Sequence, residues 1–505
     1  MQIRGLVSTL SVSVVLLLSL CAGARAAEAK LPDASLSAKE QAEVDAMVLP
    51  VPEAWKGDLD GMQKRRLVRI LVPYSRTFFV VDRGREQGIS YELGKALEVW
   101  LNKRHPYERK SLQWRVMFIP VARNELMPKL NAGVGDIAAG GLTITEGRLQ
   151  SVDFAAPFAS TINEVVVSAP GSKPLSSLED LSGQQVMVRQ SSSYYEHLVE
   201  LNRTFKDKGL APVDIVLADE NLESEDLLEM VNSKLINTIV VDLYLAKAWS
   251  KLYKDMQIHE DIVLHEGSEF AWAIRKDSPK LKDELAGFVK THKVGTTFGN
   301  SLRNKYVKTS KPLLDATSEE DMKNFQQMVG VFKKHAGTYS FDYLMLLAQG
   351  YQESQLNQKA RSARGAVGVM QLLPATAADK SVGIVGIDKS TDKNVEAAAK
   401  YMRLLSDKYL DDPALTPLNR TLMTFAAYNA GPGNLMKFRR LAEKSQLDPN
   451  IWFGNVEHAA ARIVGRETVD YVGNIYKYYV AYKLAQGKSG RTQKDVQGEV
   501  QATTR

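Results

Sequence analysis

The sequence predicts two folded units in series: an α/β unit built as two lobes, then an all-α unit. Three observations lead there. At 505 residues the chain exceeds what one hydrophobic core usually organises, which favours two or three domains. From about 65 to 300, strand patterns alternate with amphipathic helical ones, as in α/β units around largely parallel sheets. Beyond 300 the strand patterns nearly vanish and helical ones take over. The composition, 44% apolar and 25% charged, is that of an ordinary globular protein.

The N-terminus reads as an export signal. Arg4 supplies a positive start, and LVSTLSVSVVLLLSL (6–20) is an apolar stretch too short to favour a membrane span. Ala24-Arg25-Ala26 fits a small-x-small cleavage site, giving a signal peptide over 1–26. The only cysteine, Cys21, lies inside it, so the processed chain is expected to hold no disulfide. Lipid attachment at Cys21 is disfavoured, because bulky Leu20 precedes it where lipidation signals carry a small residue. The formal net charge is only +6 and no dense Lys/Arg block is interleaved with aromatics, so no nucleic-acid partner is expected.

In the α/β region, LVRILVPY (67–74), LQWRVMFIPV (112–121) and DIAAGGLTI (136–144) read as strands. GISYELGKALEVWLNKR (88–104) and NELMPKLNAG (124–133) read as helices between them. EVVVSA, QQVMVRQ, VDIVLA and NTIVVD repeat the strand pattern, with SSYYEHLVELNRTFKDKG and ESEDLLEMVNSK as helices. Two such halves imply two lobes with a cleft between them. In the all-α region, Val395, Ala398, Ala399, Met402, Leu405 and Tyr409 form one apolar helical face. LNRTLMTFAAYNAGPG (418–433) is a helix with Gly431 as its stop and Pro432 opening the next.

GDIAAGGLTITEGRLQSVDFAAPF (135–158) carries the first chemical constellation. A strand ends in Gly140-Gly141, which leaves backbone N–H groups open to a ligand. Thr143 and Thr145 offer hydroxyls, and Arg148 offers a guanidinium fork suited to a carboxylate. The pattern resembles extracellular solute-binding proteins of the amino-acid-binding family, over about 65 to 300. That resemblance implies a periplasmic-binding-protein-like α/β domain whose two lobes close on a small carboxylate-bearing ligand, an amino acid or a cell-wall peptide. It places carboxylate binding on Arg148, a cleft hydroxyl on Thr143, a backbone donor at Gly141 and an acid for a ligand ammonium on Asp242.

Four further motifs stand in order: QES (352–354), GAVGVMQLLP (365–374), AYNAG (427–431) and ETVDYV (467–472). Each alone has an ordinary structural explanation. Together they resemble the Slt-type lytic transglycosylases, over about 335 to 485, and the resemblance implies a lysozyme-like all-α domain acting on peptidoglycan glycan strands. It implies that Glu353 is the catalytic acid and base. Ser354 and Gln371 are then expected near the acid, and Met370 against a sugar ring. Tyr428 and Asn429 are expected to hold Glu353 and the substrate's acetamido group, with Tyr471 completing the cleft wall. Gly365 and Gly368 are expected to let the backbone approach the glycan. Relatives of this architecture attach to the outer membrane, which implies a periplasmic location with peripheral outer-membrane association.

The chemistry supports that set. Most glycosidases need a second carboxylate as base or nucleophile, and the resemblance attaches that role to no acid of these motifs. A lytic transglycosylase needs none, because the C6 hydroxyl of the muramoyl sugar attacks its own C1. Intramolecular attack supplies effective molarities up to roughly 10⁵–10⁸ M. LMLLA (344–348) is apolar around the whole helix, so Glu353 should lie in a core-bound cleft with a pKa above the ordinary glutamate value. The helix C-terminus also opposes its ionisation. Scattered histidines without HExxH predict no metal, and no nucleotide loop or cofactor motif appears. A murein-binding receptor without catalysis and a lysozyme-like hydrolase are the competing readings. The expected boundaries are 1–26 signal, 27–64 extension, 65–300 ligand-binding domain, 301–334 linker, 335–485 catalytic domain and 486–505 polar tail.

Overall fold

A computed structural model of the chain describes residues 35–48, 53–82, 84–107, 113–305 and 319–487. The expected signal segment with Cys21, and the polar tail from 488 onward, lie outside the described residues. Among the described residues no helix is long and apolar enough to cross a membrane.

Among the described residues eleven strands form: β1 Leu67–Val72, β2 Val80–Asp82, β3 Arg85–Gln87, β4 Arg115–Pro120, β5 Ile137–Thr143, β6 Asp153–Phe154, β7 Ala159–Ser168, β8 Gln185–Arg189, β9 Asp214–Ala218, β10 Thr238–Asp242 and β11 Gln257–Ile274. Nine of them make one sheet in the order β4-β1-β5-β11-β7-β10-β8-β9, with β6 beside β11. Strands β2 and β3 are a separate hairpin. β1 runs parallel to β4 and β5, and β8 parallel to β9 and β10. These two parallel clusters are the two lobes that the alternation of strands and helices predicted.

The sheet is not largely parallel, however. β7 is antiparallel to β10, and β11 is antiparallel to β5, β6 and β7. β11 runs 18 residues, pairing with β7 along most of its length and with β5 at its end. It therefore belongs to both lobes and joins them. Return strands of this kind need no crossover helix, so a pattern of alternating elements does not reveal them.

The helical domain begins earlier than expected. Helix Glu319–Tyr339 occupies part of the 301–334 segment read as a linker, and its Phe332 is wholly buried against Gly350 of the next helix. The 27–64 extension is also structured. Its helix Ala38–Asp45, capped by Ser37, packs on helix Pro432–Lys444 through Glu40–Lys437 and Asp45–Arg440 ion pairs. Helix Leu59–Arg65 buries Leu59 and Met62 in the first lobe. Charged residues dominate both helices, and their small apolar faces gave no clear signal.

The two domains share one contiguous core. At their junction Lys477, on helix Arg466–Gly487, lies 2.8 Å from Asp226 and 3.0 Å from Glu229. Both acids sit on helix Ser224–Asn232 of the second lobe, and Arg76 of the first lobe pairs with them too. Two cations and two carboxylates balance there, Lys477 and Glu229 buried and Arg76 and Asp226 part-buried at the edge of a cavity, and removing one leaves its partners uncompensated. Tyr476 adds a hydrogen bond to Asp219 at 2.7 Å, and Tyr74 of the first lobe sets its ring edge-on to His458.

Phe332→Ala is expected to destabilise the helical domain by about 3–5 kcal/mol. Urea unfolding followed by far-ultraviolet circular dichroism checks this. An unchanged midpoint would mean that the 319–339 helix is not part of the domain core.

Candidate active site and ligand cleft

Helix Tyr343–Ser354 is started by Asp342, whose carboxylate accepts from the Leu344 backbone N–H at 2.8 Å. Residues 344 to 351 are all buried, so the helix is enclosed as the LMLLA run predicted. It ends at Gln355 in a left-handed conformation, one residue beyond Ser354. Glu353 thus lies in the last turn, where unpaired carbonyls oppose a negative charge. Burial pushes its carboxyl up to about 7, while the Tyr471 hydroxyl, donating to Oε1 at 2.6 Å, pulls the other way. No neighbouring charge contributes to this balance.

The tyrosine that holds the acid is Tyr471, not Tyr428. The Tyr428 hydroxyl donates instead to the Met370 carbonyl at 2.8 Å. Tyr428 therefore fixes the loop that faces the acid. Ser354 does the same from the other side, donating to the Val369 carbonyl at 2.8 Å. Asn394 completes the clamp: its amide donates to the Val367 and Ile387 carbonyls and its oxygen accepts from the Met370 N–H. Asn394 sits on helix Thr391–Tyr409 with no motif around it, and sequence reasoning missed it.

Two expected glycan contacts are not available. The Met370 side chain is 0% exposed, and its sulfur packs on Gly350, so it has no face for a sugar. Gly368 is also enclosed: at φ +78 an added Cβ would stand 2.4 Å from the Asn394 amide. That glycine is required by the Asn394 clamp rather than by a glycan. Gly365, at φ +85, has open space around it, and Gln371 is half-buried with its amide on the Gly368 carbonyl at 2.9 Å. Asn429 is exposed and accepts from the Thr468 hydroxyl at 2.8 Å. Gln352, Asn429 and Tyr471 open on a cavity of about 430 Å³ whose other wall is Tyr74, Arg76, Asn221 and Asp226 of the first domain.

Gly141, Thr143, Arg148 and Asp242 come together as expected, lining one cavity of about 270 Å³ between the lobes. Gly141 takes φ +66, and a Cβ there would meet the Phe78 ring at 2.5 Å. Thr143 accepts from the Ser193 hydroxyl of the other lobe at 3.2 Å. Arg148 is turned onto the Thr143 and Ser191 carbonyls at 2.7 and 2.9 Å, with burial lowering its pKa. Asp242 accepts from Tyr194 through Oδ2 at 2.7 Å and has no partner on Oδ1. Burial first, and nearby Glu164 second, push its carboxyl up to about 8. Arg123, gripping Glu223 across the cleft at 2.6 Å, and Tyr194 line the same cavity. Both were missed, because only the folded pairing of the lobes brings them there.

Among the described residues one cluster, His335, Asp392 and Glu396, has metal-ligand spacing. Lys334 and His335 already pair with Asp392 there.

Residues 70–309 match the family of bacterial extracellular solute-binding proteins, family 3, and residues 330–451 match the Transglycosylase SLT domain. The chain carries one domain of each family. Over most of its length it is similar to proteins named membrane-bound lytic murein transglycosylase F. That of Desulfosudis oleivorans is 26% identical over 81% of this chain and 88% of its own. That of Saccharophagus degradans is 29% identical over 74% and 75%, and that of Pseudomonas fluorescens 28% over 83% and 85%. Among solved structures, an ancestral arginine-binding protein bound to glutamine aligns with 48% of this chain and 98% of its own, at 22% identity and a TM-score of 0.39. Glu353 lies within the residues that match the SLT domain.

The raised Asp242 carboxyl gives the solute-binding domain a pH signature. A ligand ammonium favours the ionised acid, so binding at pH 7 should release a proton, and affinity should rise as pH climbs towards about 8. Calorimetry with amino acids and short peptides in two buffers of different ionisation enthalpy reads this. Equal heats in both buffers, or an Asp242→Asn variant that releases the same proton, would contradict the assignment.

Proposed function

We propose that the protein is a peptidoglycan lytic transglycosylase that cleaves the MurNAc-GlcNAc β-1,4 bond and leaves 1,6-anhydro-MurNAc ends. The observation that carries this reading is a carboxylic acid at the end of a buried helix, pushed up to about 7 by burial and held by the Tyr471 hydroxyl, within the residues that match the SLT domain. Glu353 gives its proton to the glycosidic oxygen as the C1–O bond breaks. The C6 hydroxyl of the same sugar then bonds to C1 and returns its proton to Glu353. Atoms and charge balance without water, and the acid is restored. Tyr471 stabilises the carboxylate between the two steps through its hydrogen bond. Gln371 and Asn429, both reachable from solvent beside the acid's loop and helix, are assigned to the glycan, and Ser354 and Tyr428 to holding the loop.

The solute-binding domain takes a small amino-acid-like ligand. In our reading this is a carboxylate-bearing amino acid or cell-wall peptide, with Arg148 leaving its backbone carbonyls to meet the carboxylate. The ligand's entry moves the lobes, and the Lys477 cluster passes that movement to the helix that carries Tyr471. In the same reading the protein works in the periplasm, which the expected export signal and the glycan substrate support, and associates peripherally with the outer membrane, in keeping with its similarity to proteins named membrane-bound. The catalytic unit is taken to begin with helix Glu319–Tyr339.

Digestion of purified sacculi, followed by mass spectrometry of the soluble products, tests the reaction. Anhydro-muropeptides are expected; hydrated reducing ends would mean a hydrolase, and no release a binding protein. Glu353→Gln should lower the rate at least about 10²-fold. Because the free enzyme must hold the proton, activity should fall as pH rises through about 7.

A further inference from the structure

We propose that Gln349 is a positioning residue that decides which oxygen of Glu353 carries the acidic proton. This rests on the transglycosylase reading and adds a residue to it. Gln349 lies one turn before Glu353 on the same helix and is 0% exposed. Its Nε2 donates to the Tyr471 hydroxyl oxygen at 3.1 Å, and that hydroxyl donates to Glu353 Oε1 at 2.6 Å. The Gln349 carbonyl oxygen is enclosed and has no hydrogen-bond partner. The residues around it on the helix are Leu344 to Ala348, Gly350 and Tyr351, all buried. An enclosed amide with an unmatched oxygen costs stability that leucine or methionine would not. Packing therefore does not account for a glutamine here.

Its hydrogen-bond direction does. A tyrosine hydroxyl has one proton and accepts through its oxygen lone pairs. With an amide N–H already on that oxygen, the hydroxyl proton is committed to Oε1 of Glu353. An oxygen that accepts this short bond is not the one that bears the acid's own proton, so that proton resides on Oε2. The reverse amide orientation would draw the tyrosine proton towards Gln349 and leave Oε1 without a donor. Without the amide, the hydroxyl is free to rotate and accept a proton from Oε1, a state in which the acid points its proton at the protein. The amide also polarises the hydroxyl and strengthens its donation to the carboxylate. Losing it should raise the Glu353 pKa further.

Gln349→Met keeps the side-chain length and removes the hydrogen bond. Its unfolding midpoint is expected to stay equal or rise. Its kcat for anhydro-muropeptide release should fall about five- to ten-fold with KM unchanged, and the basic limb of its pH profile should move upward. In a Tyr471→Phe background the same change should have little further effect, since the amide acts through the tyrosine. An unchanged kcat and pH profile, or full additivity with Tyr471→Phe, would overturn the proposal. A carbon-13 NMR titration of Glu353 in the wild type and Gln349→Met separates this from the reaction itself. If the wild type releases no anhydro products, the transglycosylase reading fails. An unmoved Glu353 titration in Gln349→Met sinks the role of Gln349 whichever products form.

Discussion

A carboxylic acid that must deliver a proton near neutral pH has to be kept from water without being stranded, and the contact between Tyr471 and Glu353 meets both demands. Burial alone would drive the acid far upward, and a full complement of hydrogen bonds would drive it down into the ordinary carboxylate range. One hydroxyl at 2.6 Å leaves it at about 7. The rest of the helical domain is arranged around that compromise. The helix bearing Glu353 is enclosed along eight residues, which supplies the burial. The loop opposite is fastened at three carbonyls and one N–H by Ser354, Tyr428 and Asn394, which keeps the wall of the site from filling with solvent or collapsing.

The same arrangement explains which motif residues serve the protein rather than the glycan. A loop bearing three left-handed residues, Gly365, Gly368 and Gln371, does not hold its shape by propensity. It is held because Gly368 admits the Asn394 amide to its backbone and Met370 fills the space beside Gly350. Those are packing duties. The chemistry falls to the side chains left at the opening.

Much of this was legible from the chain. The enclosed helix, the acid near its end and the raised pKa followed from five apolar residues before QGYQES, while Gly141, Thr143 and Arg148 stood in one strand-and-turn motif and Asp242 in a separate strand, all four assigned by resemblance. What was not legible depends on pairings distant in sequence. Asn394 acts through a hydrogen bond across 24 residues and stands in no distinctive pattern, and Thr468, although inside ETVDYV, is paired with Asn429 only by the fold, across 39 residues. Met370 was expected against a sugar ring by resemblance alone, yet its side chain points inward, as do those of Val369 and Leu372. The antiparallel course of β11 was hidden because a strand's direction leaves no mark on its own composition. Helix Glu319–Tyr339 followed a polar, proline-containing stretch and was absorbed into the linker.

The helix Arg466–Gly487 links these two chemistries physically. Tyr471 reaches Glu353 from one side of it, and six residues later, about 9 Å along its axis, Lys477 reaches Asp226 and Glu229 of the second lobe. Six residues turn the helix by about 600°, so the two side chains leave it about 120° apart and face different partners. A single rigid element is therefore gripped at one point by Glu353 and at another by a neutral cluster of four charges, two of them buried and two part-buried. Arg76 brings the first lobe into that cluster, so its geometry depends on how the two lobes meet. Buried charge clusters tolerate little stretching, because each ion that loses a partner is left uncompensated. A change in lobe angle must then either break the cluster or carry the helix with it. In the second case the 2.6 Å contact on Glu353 changes, and with it the balance that sets the raised pKa of its carboxyl.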